Sequence, residues 1–205
     1  NLVALQQTNP VRLLAYSSIS QAGFIIAPLA VSGITGNYQD GIFASVTYLI
    51  IYAFMNIGAF LSVHLFTNFT KSDNFYEWGG IAKHSPLAGV LTTVFFFSLA
   101  GIPPLGGWFA KFVVFRSLLS TGEIIGISLA IVGAINAVIA LVYYARISKV
   151  IWMDELKNPQ EEKSFEFQSP LKVVGALTVL ITFVAGIFPG IFSYLGEVSS
   201  IFFGN

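Results

Sequence analysis

The sequence predicts an all-α integral membrane protein with about five transmembrane helices, one of them discontinuous. Two observations carry this prediction. Hydrophobic residues make up 55% of the 205 residues and charged residues only 10%, whereas a soluble domain carries about 25% charge. The apolar residues also fall into runs long enough to cross the roughly 30 Å of hydrocarbon in a bilayer. A lipid-facing surface explains this composition better than a large soluble core.

Five spans can be placed between segments that contain glycine, proline and charged residues. They cover residues 13–31, 41–66, 87–119, 124–147 and 171–194. Ser120 and Glu123 have the spacing of a capping box, which would begin the fourth span. An apolar tail over residues 191–205 would lie along the membrane interface. Residues 1–7 resemble the end of an earlier span, so we expect residues 1–205 to form a single transmembrane domain within a longer subunit.

Basic residues are distributed unequally between the two sides of this arrangement. Eight of the ten lysines and arginines fall in or beside the loops of one side, and the loops of the other side contain none. The positive-inside rule places the basic side, with loops 67–86 and 150–168, in the cytoplasm. We therefore expect a multi-pass protein of a bacterial plasma membrane, with an organelle or thylakoid membrane as the alternative.

The composition also argues against several classes of site. The chain contains no cysteine, which excludes disulfides and cysteine-ligated iron–sulfur centres. Its two histidines lie 20 residues apart and predict no metal site. Zero net charge without a dense basic stretch argues against nucleic-acid binding. The chain has no phosphate-binding loop and no nucleophile–base motif, so we expect it to bind no cofactor itself.

The third span contains a cluster of helix-breaking residues. The cluster comprises Gly101, Pro103, Pro104, Gly106 and Gly107. Proline removes a backbone donor and its ring clashes with the preceding turn, so the span cannot be one continuous helix. The flanking pieces of about 14 and 12 residues are too short to cross alone, which argues against a plain loop between two spans. Broken helices are typical of the ion-conducting cores of transporters.

Lys111 follows this break and is the main candidate for a functional residue. It precedes Ser120 by nine residues, which places it about 13 Å from that end of the span, near mid-depth. A charge at this depth is costly, so we expect Lys111 to face the protein interior and to relay protons. The alternative is a structural ion pair that holds helices together. No Asp or Glu of this chain lies mid-span, so a carboxylate partner would have to come from elsewhere.

Other polar residues within the spans are candidates for a hydrated path. They are Ser17, Ser20 and Gln21 in the first span, and Tyr48, Tyr52, Asn56 and His64 in the second. Hydrogen bonding or packing between helices is the alternative for most of them. His64 lies near the end of its span, where an interfacial position is the alternative to proton transfer. Tyr143, Tyr144 and Arg146 close the fourth span and are expected to anchor it at the interface.

Three stretches resemble signatures of the antiporter-like membrane subunits of respiratory complex I. They are residues 1–20, with Arg12-Leu13-Leu14-Ala15-Tyr16, then Ser98 to Phe112, and finally Tyr143-Tyr144-x-Arg146. The similarity covers nearly the whole chain and is strongest to the N subunits of NADH-quinone oxidoreductases. Two positions depart from the pattern. Val11 stands where the family usually has lysine, and Gln21 stands where many members have histidine, which argues against a histidine relay in the first span.

The resemblance implies a fold of about fourteen spans in two inverted halves, with this chain as the C-terminal part. Lys111 would be the lysine of the outer half-channel in a proton-translocating subunit. NADH, flavin, iron–sulfur clusters and quinone would be bound by partner membrane and peripheral subunits, so this chain would belong to the enzyme without holding a redox centre. The alternatives are a subunit of a cation/proton antiporter or membrane-bound hydrogenase of the same superfamily, or a non-transporting membrane scaffold.

Overall fold

A computed structural model describes residues 1–155 and 169–203, and every regular element within these ranges is helical. The elements in chain order are α1 (Leu2–Leu5), α2 (Pro10–Thr35), α3 (Tyr38–Thr70), a 3₁₀ turn (Phe75–Trp78), α4 (Ile81–His84), α5 (Pro86–Ala100), α6 (Gly106–Ser120), α7 (Ile124–Met153), α8 (Ser169–Ile187) and α9 (Gly190–Phe203). The prediction of an all-α fold is confirmed.

A tight turn joins the first two long helices. The side chain of Asn9 accepts the backbone N–H of Arg12 and caps α2, and Pro10 occupies the first helical position. The helix ends at Gly36, which adopts the left-handed conformation with a φ of 76°. Asn37 then caps α3. Because the turn is so short, α2 and α3 run antiparallel and pack along each other.

The central helix of the bundle is α3, which packs against α2, α5, α6, α8 and α9. Small residues allow this close approach. A Cβ atom on Gly41 would collide with Ser32 of α2, and one on Gly58 would collide with the Phe95 ring of α5. Membrane helices associate through such close packing because lipid supplies no hydrophobic drive between them. As a result, α2, α5 and α6 are all held beside α3, where the candidate site lies.

The two ends of the bundle differ in charge. At one end, the segment between α3 and α5 hydrogen-bonds to the residues before α2 and to the end of α7. The basic residues near this end include Arg12, Lys71, Lys83, Arg146 and Lys149. At the opposite end, the Ser120 hydroxyl donates to the Asp40 carboxylate at 3.1 Å. The cytoplasmic placement of loops 67–86 and 150–168 stays a prediction, and residues 156–168 lie outside the described ranges.

Three helices, α2, α3 and α7, are each long and apolar enough to cross a membrane. Helices α5 and α6 have 15 residues each, about 22 Å, so neither is long enough for a full crossing. Helices α8 and α9 make a fourth candidate if they count as one span, although they meet at an angle of 83°. The described residues therefore contain two interrupted segments, whereas the sequence predicted one.

Two local predictions are wrong. The predicted span over residues 171–194 does not continue as one helix, because Pro189 cannot donate to a helical turn and disfavours helix at Phe188.

Ser120 and Glu123 do not form a capping box. Ser120 is the last residue of α6, and Glu123 is the N-cap residue of α7 without a side-chain cap bond. The predicted interfacial tail forms α9, which packs across α3, with Gly196 against Thr47.

Candidate functional site

The end of α5 is shaped by a Schellman motif. Gly101 adopts the left-handed conformation with a φ of 96°, and its N–H bonds to the Ser98 carbonyl at 2.9 Å. The N–H of Ile102 bonds to the Phe97 carbonyl at 3.0 Å. These two bonds satisfy two of the carbonyls that a helix leaves unpaired at its C-terminus. The carbonyls of the last two helical residues receive no backbone donor from this motif.

Contrary to the sequence prediction, Gly106 and Gly107 are not part of the break but form the first turn of α6. The interruption therefore comprises residues 101–105, with Pro103 and Pro104 exposed on the surface of the described part of the chain. The absence of side chains at both glycines permits close packing. A Cβ atom on Gly106 would crowd α8, and one on Gly107 would collide with the carbonyl of Ser98.

Lys111 lies in the protein interior, with 5% of its surface exposed. Its Nζ donates to the Leu99 carbonyl at 2.7 Å and to the Ala100 carbonyl at 2.6 Å. These are the two carbonyls that the Schellman motif leaves open. They form the negative end of the α5 dipole, where a cation is favoured. Among the described residues, no carboxylate pairs with Lys111.

Gly101 is needed at this position for two reasons. Its left-handed backbone is strained for any residue with a Cβ atom. A Cβ atom there would also lie 2.8 Å from Cδ and 3.2 Å from Nζ of Lys111. The same glycine therefore ends α5 and leaves room for the lysine side chain that reaches back from α6.

Aromatic side chains pack around another side of the Lys111 ammonium group. The Nζ of Lys111 lies 5.4 Å from the centre of the Phe24 ring, within the range of a cation–π contact. Phe24 stacks on Tyr48 with ring centres 5.9 Å apart and meets Phe115 edge-on at 6.1 Å. The site is thus enclosed by α2, α3, α5 and α6.

Three of the predicted polar residues are brought together beside Lys111. Gln21 is buried, and its Nε2 donates to the Leu99 carbonyl at 3.2 Å, the same carbonyl that accepts from Lys111. The Tyr48 hydroxyl donates to Oε1 of Gln21. The Ser17 hydroxyl is 2.6 Å from the hydroxyl of Tyr144, which also has Gln21 as a polar neighbour. A connected polar group therefore runs from the ammonium through Gln21 to α3 and α7.

Of the three expected interface anchors, Tyr143 and Tyr144 are instead fully buried, and the half-buried Arg146 donates to the Leu5 carbonyl at 2.9 Å. The prediction was wrong for the two tyrosines because α7 continues to Met153, so both residues lie well before the end of the helix. The Tyr143 hydroxyl donates to Oδ1 of Asn1 at 2.9 Å, and Nδ2 of Asn1 donates to the Ser20 hydroxyl at 2.8 Å. Ser20 thus belongs to this neighbouring polar group rather than to the first contacts of Lys111.

The remaining candidates of the second span lie apart from these contacts. The side chain of Tyr52 is half-buried with Ser18 as its polar neighbour, and Asn56 is also half-buried. His64 is exposed and bonds to Asn68 one turn later, at 2.8 Å. Within residues 1–155 and 169–203, no three His, Asp or Glu side chains group as a metal site.

Comparison with known proteins places this architecture in a family. The family described as NADH:quinone oxidoreductase/Mrp antiporter, transmembrane, matches residues 1–139. Subunit N of NADH-quinone oxidoreductase from Moorella thermoacetica is 38% identical over 190 residues, which is 92% of this chain and 38% of that protein. Subunit N 2 from Rhizobium meliloti is 39% identical over 203 residues, which is 98% of this chain and 40% of that protein. The chain spans about two fifths of the length of these relatives.

Solved structures share the fold. A structure of respiratory complex I from Thermus thermophilus with bound aureothin superposes with a TM-score of 0.64 at 26% identity, over 94% of this chain and 41% of that one. A structure of the Mrp complex from Dietzia sp. superposes with a TM-score of 0.78 at 20% identity, over 97% of this chain and 43% of that one, and shows likeness of fold alone. The chain is therefore a multi-pass membrane protein that belongs to the transmembrane family of NADH:quinone oxidoreductases and Mrp antiporters.

Proposed function

We propose that this chain is part of a proton-translocating membrane subunit of an NADH-quinone oxidoreductase. The names of the curated relatives support this assignment, since they are subunits of quinone oxidoreductases at 34–41% identity. Electron transfer from NADH through flavin and iron–sulfur clusters to quinone would take place in partner subunits. The role of this chain would be to move protons across the membrane, with its basic end in the cytoplasm of a bacterial cell.

Lys111 would be the proton-carrying residue. The observation that carries this proposal is a buried ammonium group whose described acceptors are two neutral carbonyls. The end of a helix carries only about half an elementary charge, so it holds a cation less firmly than a carboxylate at the same distance would. A structural ion pair would require a carboxylate partner. A lysine held by carbonyls can give up its proton without leaving a buried anion behind.

The polar group that includes Gln21, Tyr48, Tyr144 and Ser17 would carry the proton onward or orient water beside Lys111. Gln21 itself cannot carry a charge near neutral pH, because an amide does not titrate there. Its two hydrogen bonds instead connect the acceptor carbonyl of Leu99 to the hydroxyl of Tyr48. We therefore assign Gln21 a connecting role and assign the uptake and release of the proton to Lys111.

Replacement of Lys111 in the intact complex tests the proposal. In the Lys111→Ala complex we expect normal assembly, reduced NADH-driven quinone reductase activity and a markedly lower number of protons pumped per electron. Lys111→Arg is the matched variant, because arginine keeps the positive charge but does not release a proton under these conditions. We expect it to assemble and to pump as poorly as the alanine variant. Proton uptake into sealed vesicles and NADH oxidation, followed together, provide the ratio.

Two results would contradict this assignment. Pumping at the normal proton-per-electron ratio in the Lys111→Ala complex would show that Lys111 carries no proton. If the Lys111→Ala complex fails to pump but the Lys111→Arg complex pumps normally, a fixed positive charge at this position is sufficient, as in a scaffold. A membrane-bound hydrogenase or cation/proton antiporter would be indicated if the genes beside this one encode no NADH-oxidising subunits.

A further inference from the structure

We infer that Ser98 is a positioning residue that fixes the start of α6 on the end of α5 and thereby holds the Lys111 ammonium at its two carbonyls. This inference rests on the proposed role of Lys111 and adds a residue that acts through it. Ser98 is fully buried and lies in the last turn of α5, directly before the two residues whose carbonyls accept from Lys111.

Ser98 supplies a cap that α6 lacks locally. A helix N-terminus has unpaired N–H groups, and inside a membrane no bulk water is available to satisfy them. The N-cap residue of α6, Leu105, has no side chain that can accept a hydrogen bond. The N–H of Gly107 instead donates to the hydroxyl oxygen of Ser98 at 3.1 Å. A residue of α5 therefore caps α6 across the interruption.

The position of this bond couples it to the lysine. Lys111 follows Gly107 by four residues, so both lie on the same face of α6, one turn apart. Long side chains on helices point back toward the N-terminus, which directs the lysine toward the end of α5. The bond from Gly107 to Ser98 and the bonds from Lys111 to Leu99 and Ala100 thus join the first two turns of α6 to the last turn of α5.

The surroundings leave little room for an alternative arrangement. A Cβ atom on Gly107 would collide with the backbone carbonyl of Ser98, so the first turn of α6 rests directly on α5. The Ser98 hydroxyl donates in turn to Sδ of Met55 at 3.4 Å, which ties both half-helices to α3. If the hydroxyl were removed, the Gly107 N–H would lose its acceptor, and the start of α6 could shift relative to the two carbonyls.

Substitution of Ser98 in the intact complex tests this inference. An unsatisfied buried donor weakens the arrangement by an amount that corresponds to a roughly 5- to 30-fold change in an equilibrium. We expect Ser98→Ala to lower the rate of NADH-driven proton pumping by a factor in this range, and Ser98→Thr, which keeps the hydroxyl, to restore most of it. Ser62→Ala is the matched control, because among the described residues the hydroxyl of the buried Ser62 bonds within its own helix, to the Gly58 carbonyl.

A double-mutant cycle separates positioning from a purely structural role. If Ser98 acts through Lys111, Ser98→Ala should leave the residual quinone reductase turnover of the Lys111→Ala complex unchanged. If Ser98→Ala lowers quinone reductase turnover by the same factor in the wild-type complex and in the Lys111→Ala complex, the inference is overturned. Normal pumping by Ser98→Ala, together with a defective Lys111→Ala complex, would refute the inference alone. Normal pumping by Lys111→Ala would refute the proposed function itself. Failure of both Ser98→Ala and the near-isosteric Ser98→Cys to assemble would also count against positioning.

Discussion

The ammonium of Lys111 is held at the end of a helix to which its own backbone does not belong. Its Cα lies in α6, and its two acceptors are the last carbonyls of α5. Gly101 makes this arrangement possible, since it ends α5 in the left-handed conformation and has no Cβ atom to meet the lysine stem. At the scale of single residues, the site therefore depends as much on this glycine as on the lysine.

Gly101→Ala should impair proton pumping more than its backbone strain alone explains. The left-handed conformation costs an alanine about 1–2 kcal/mol, and the new methyl group would also press on Cδ of Lys111. Gly36→Ala is the matched control, because Gly36 also has a positive φ but a Cβ atom there would meet nothing within 4 Å. We expect protons pumped per electron to fall in the Gly101 variant and to stay normal in the Gly36 variant. Equal pumping in the two variants would contradict the contact with Lys111.

Residue patterns predicted the burial of Lys111 but not what holds it. The acceptors are backbone carbonyls, which every residue carries, so side-chain identity at residues 99 and 100 gives no signal. The informative feature is Gly101, because a glycine near the end of an apolar helix, with a proline two residues later, indicates a Schellman motif. Tyr144 was assigned to the interface because the end of α7 was placed at residue 147, six residues before Met153. The polar contact from Ser17 to Tyr144 joins residues 127 positions apart and has no local signature.

At the scale of elements, the interruption between α5 and α6 is in direct contact with α8. A Cβ atom on Gly186 of α8 would collide with the carbonyl of Pro104, so the backbones of the two segments are in direct contact. Helix α8 ends one residue later, at Ile187, and the chain then turns by 83° into α9. The second interruption therefore lies against the first, and α8 packs on the backbone of Pro104 and Leu105, although the rings of Pro103 and Pro104 stay exposed.

Gly186→Ala should destabilise the subunit by forcing α8 away from this backbone. Overpacking of a close contact costs about 1–3 kcal/mol, which a lower thermal unfolding midpoint of the detergent-solubilised complex would report. Gly175→Ala on the same helix is the matched control, because a Cβ atom there would meet only Leu61 at the ordinary distance of 3.5 Å. We expect this control to be neutral or slightly stabilising, since alanine favours helix over glycine. Equal thermal unfolding midpoints for the two variants would show that α8 does not pack tightly against the interruption.

Across the whole molecule, the order of helices and the unequal distribution of charge were predictable, whereas the exact crossings were not. The helical runs have lengths and apolarity that the bilayer requires, so the bounds of α2 and α3 were predictable to within four residues and those of α7 to within six. The bend between α8 and α9 was missed because the apolar run continues through Pro189 without a polar residue. Hydropathy alone predicts that a segment is buried in lipid or protein, and it does not predict where the helix axis bends.

The proposed orientation can be tested by thiol labelling, since the 205 residues contain no cysteine. Lys83 lies exposed at the basic end, and Glu123 lies exposed at the other end, between α6 and α7. In sealed vesicles of known orientation, Lys83→Cys should react with an impermeant maleimide from the cytoplasmic side only, and Glu123→Cys from the opposite side only. The unsubstituted protein is the control for background labelling. The reverse pattern would invert the topology.

The nature of the two acceptors of the Lys111 ammonium has one evolutionary consequence. Because they are peptide oxygens, no single codon change can delete them, and exchange of the side chains of Leu99 and Ala100 for others of similar size removes neither oxygen. Leu99 is buried in the core, so Leu99→Ala should cost stability through lost packing, while both hydrogen bonds to Lys111 keep their acceptors. Selection can change the placement of these two oxygens only through the residues that shape the backbone around them, such as Gly101.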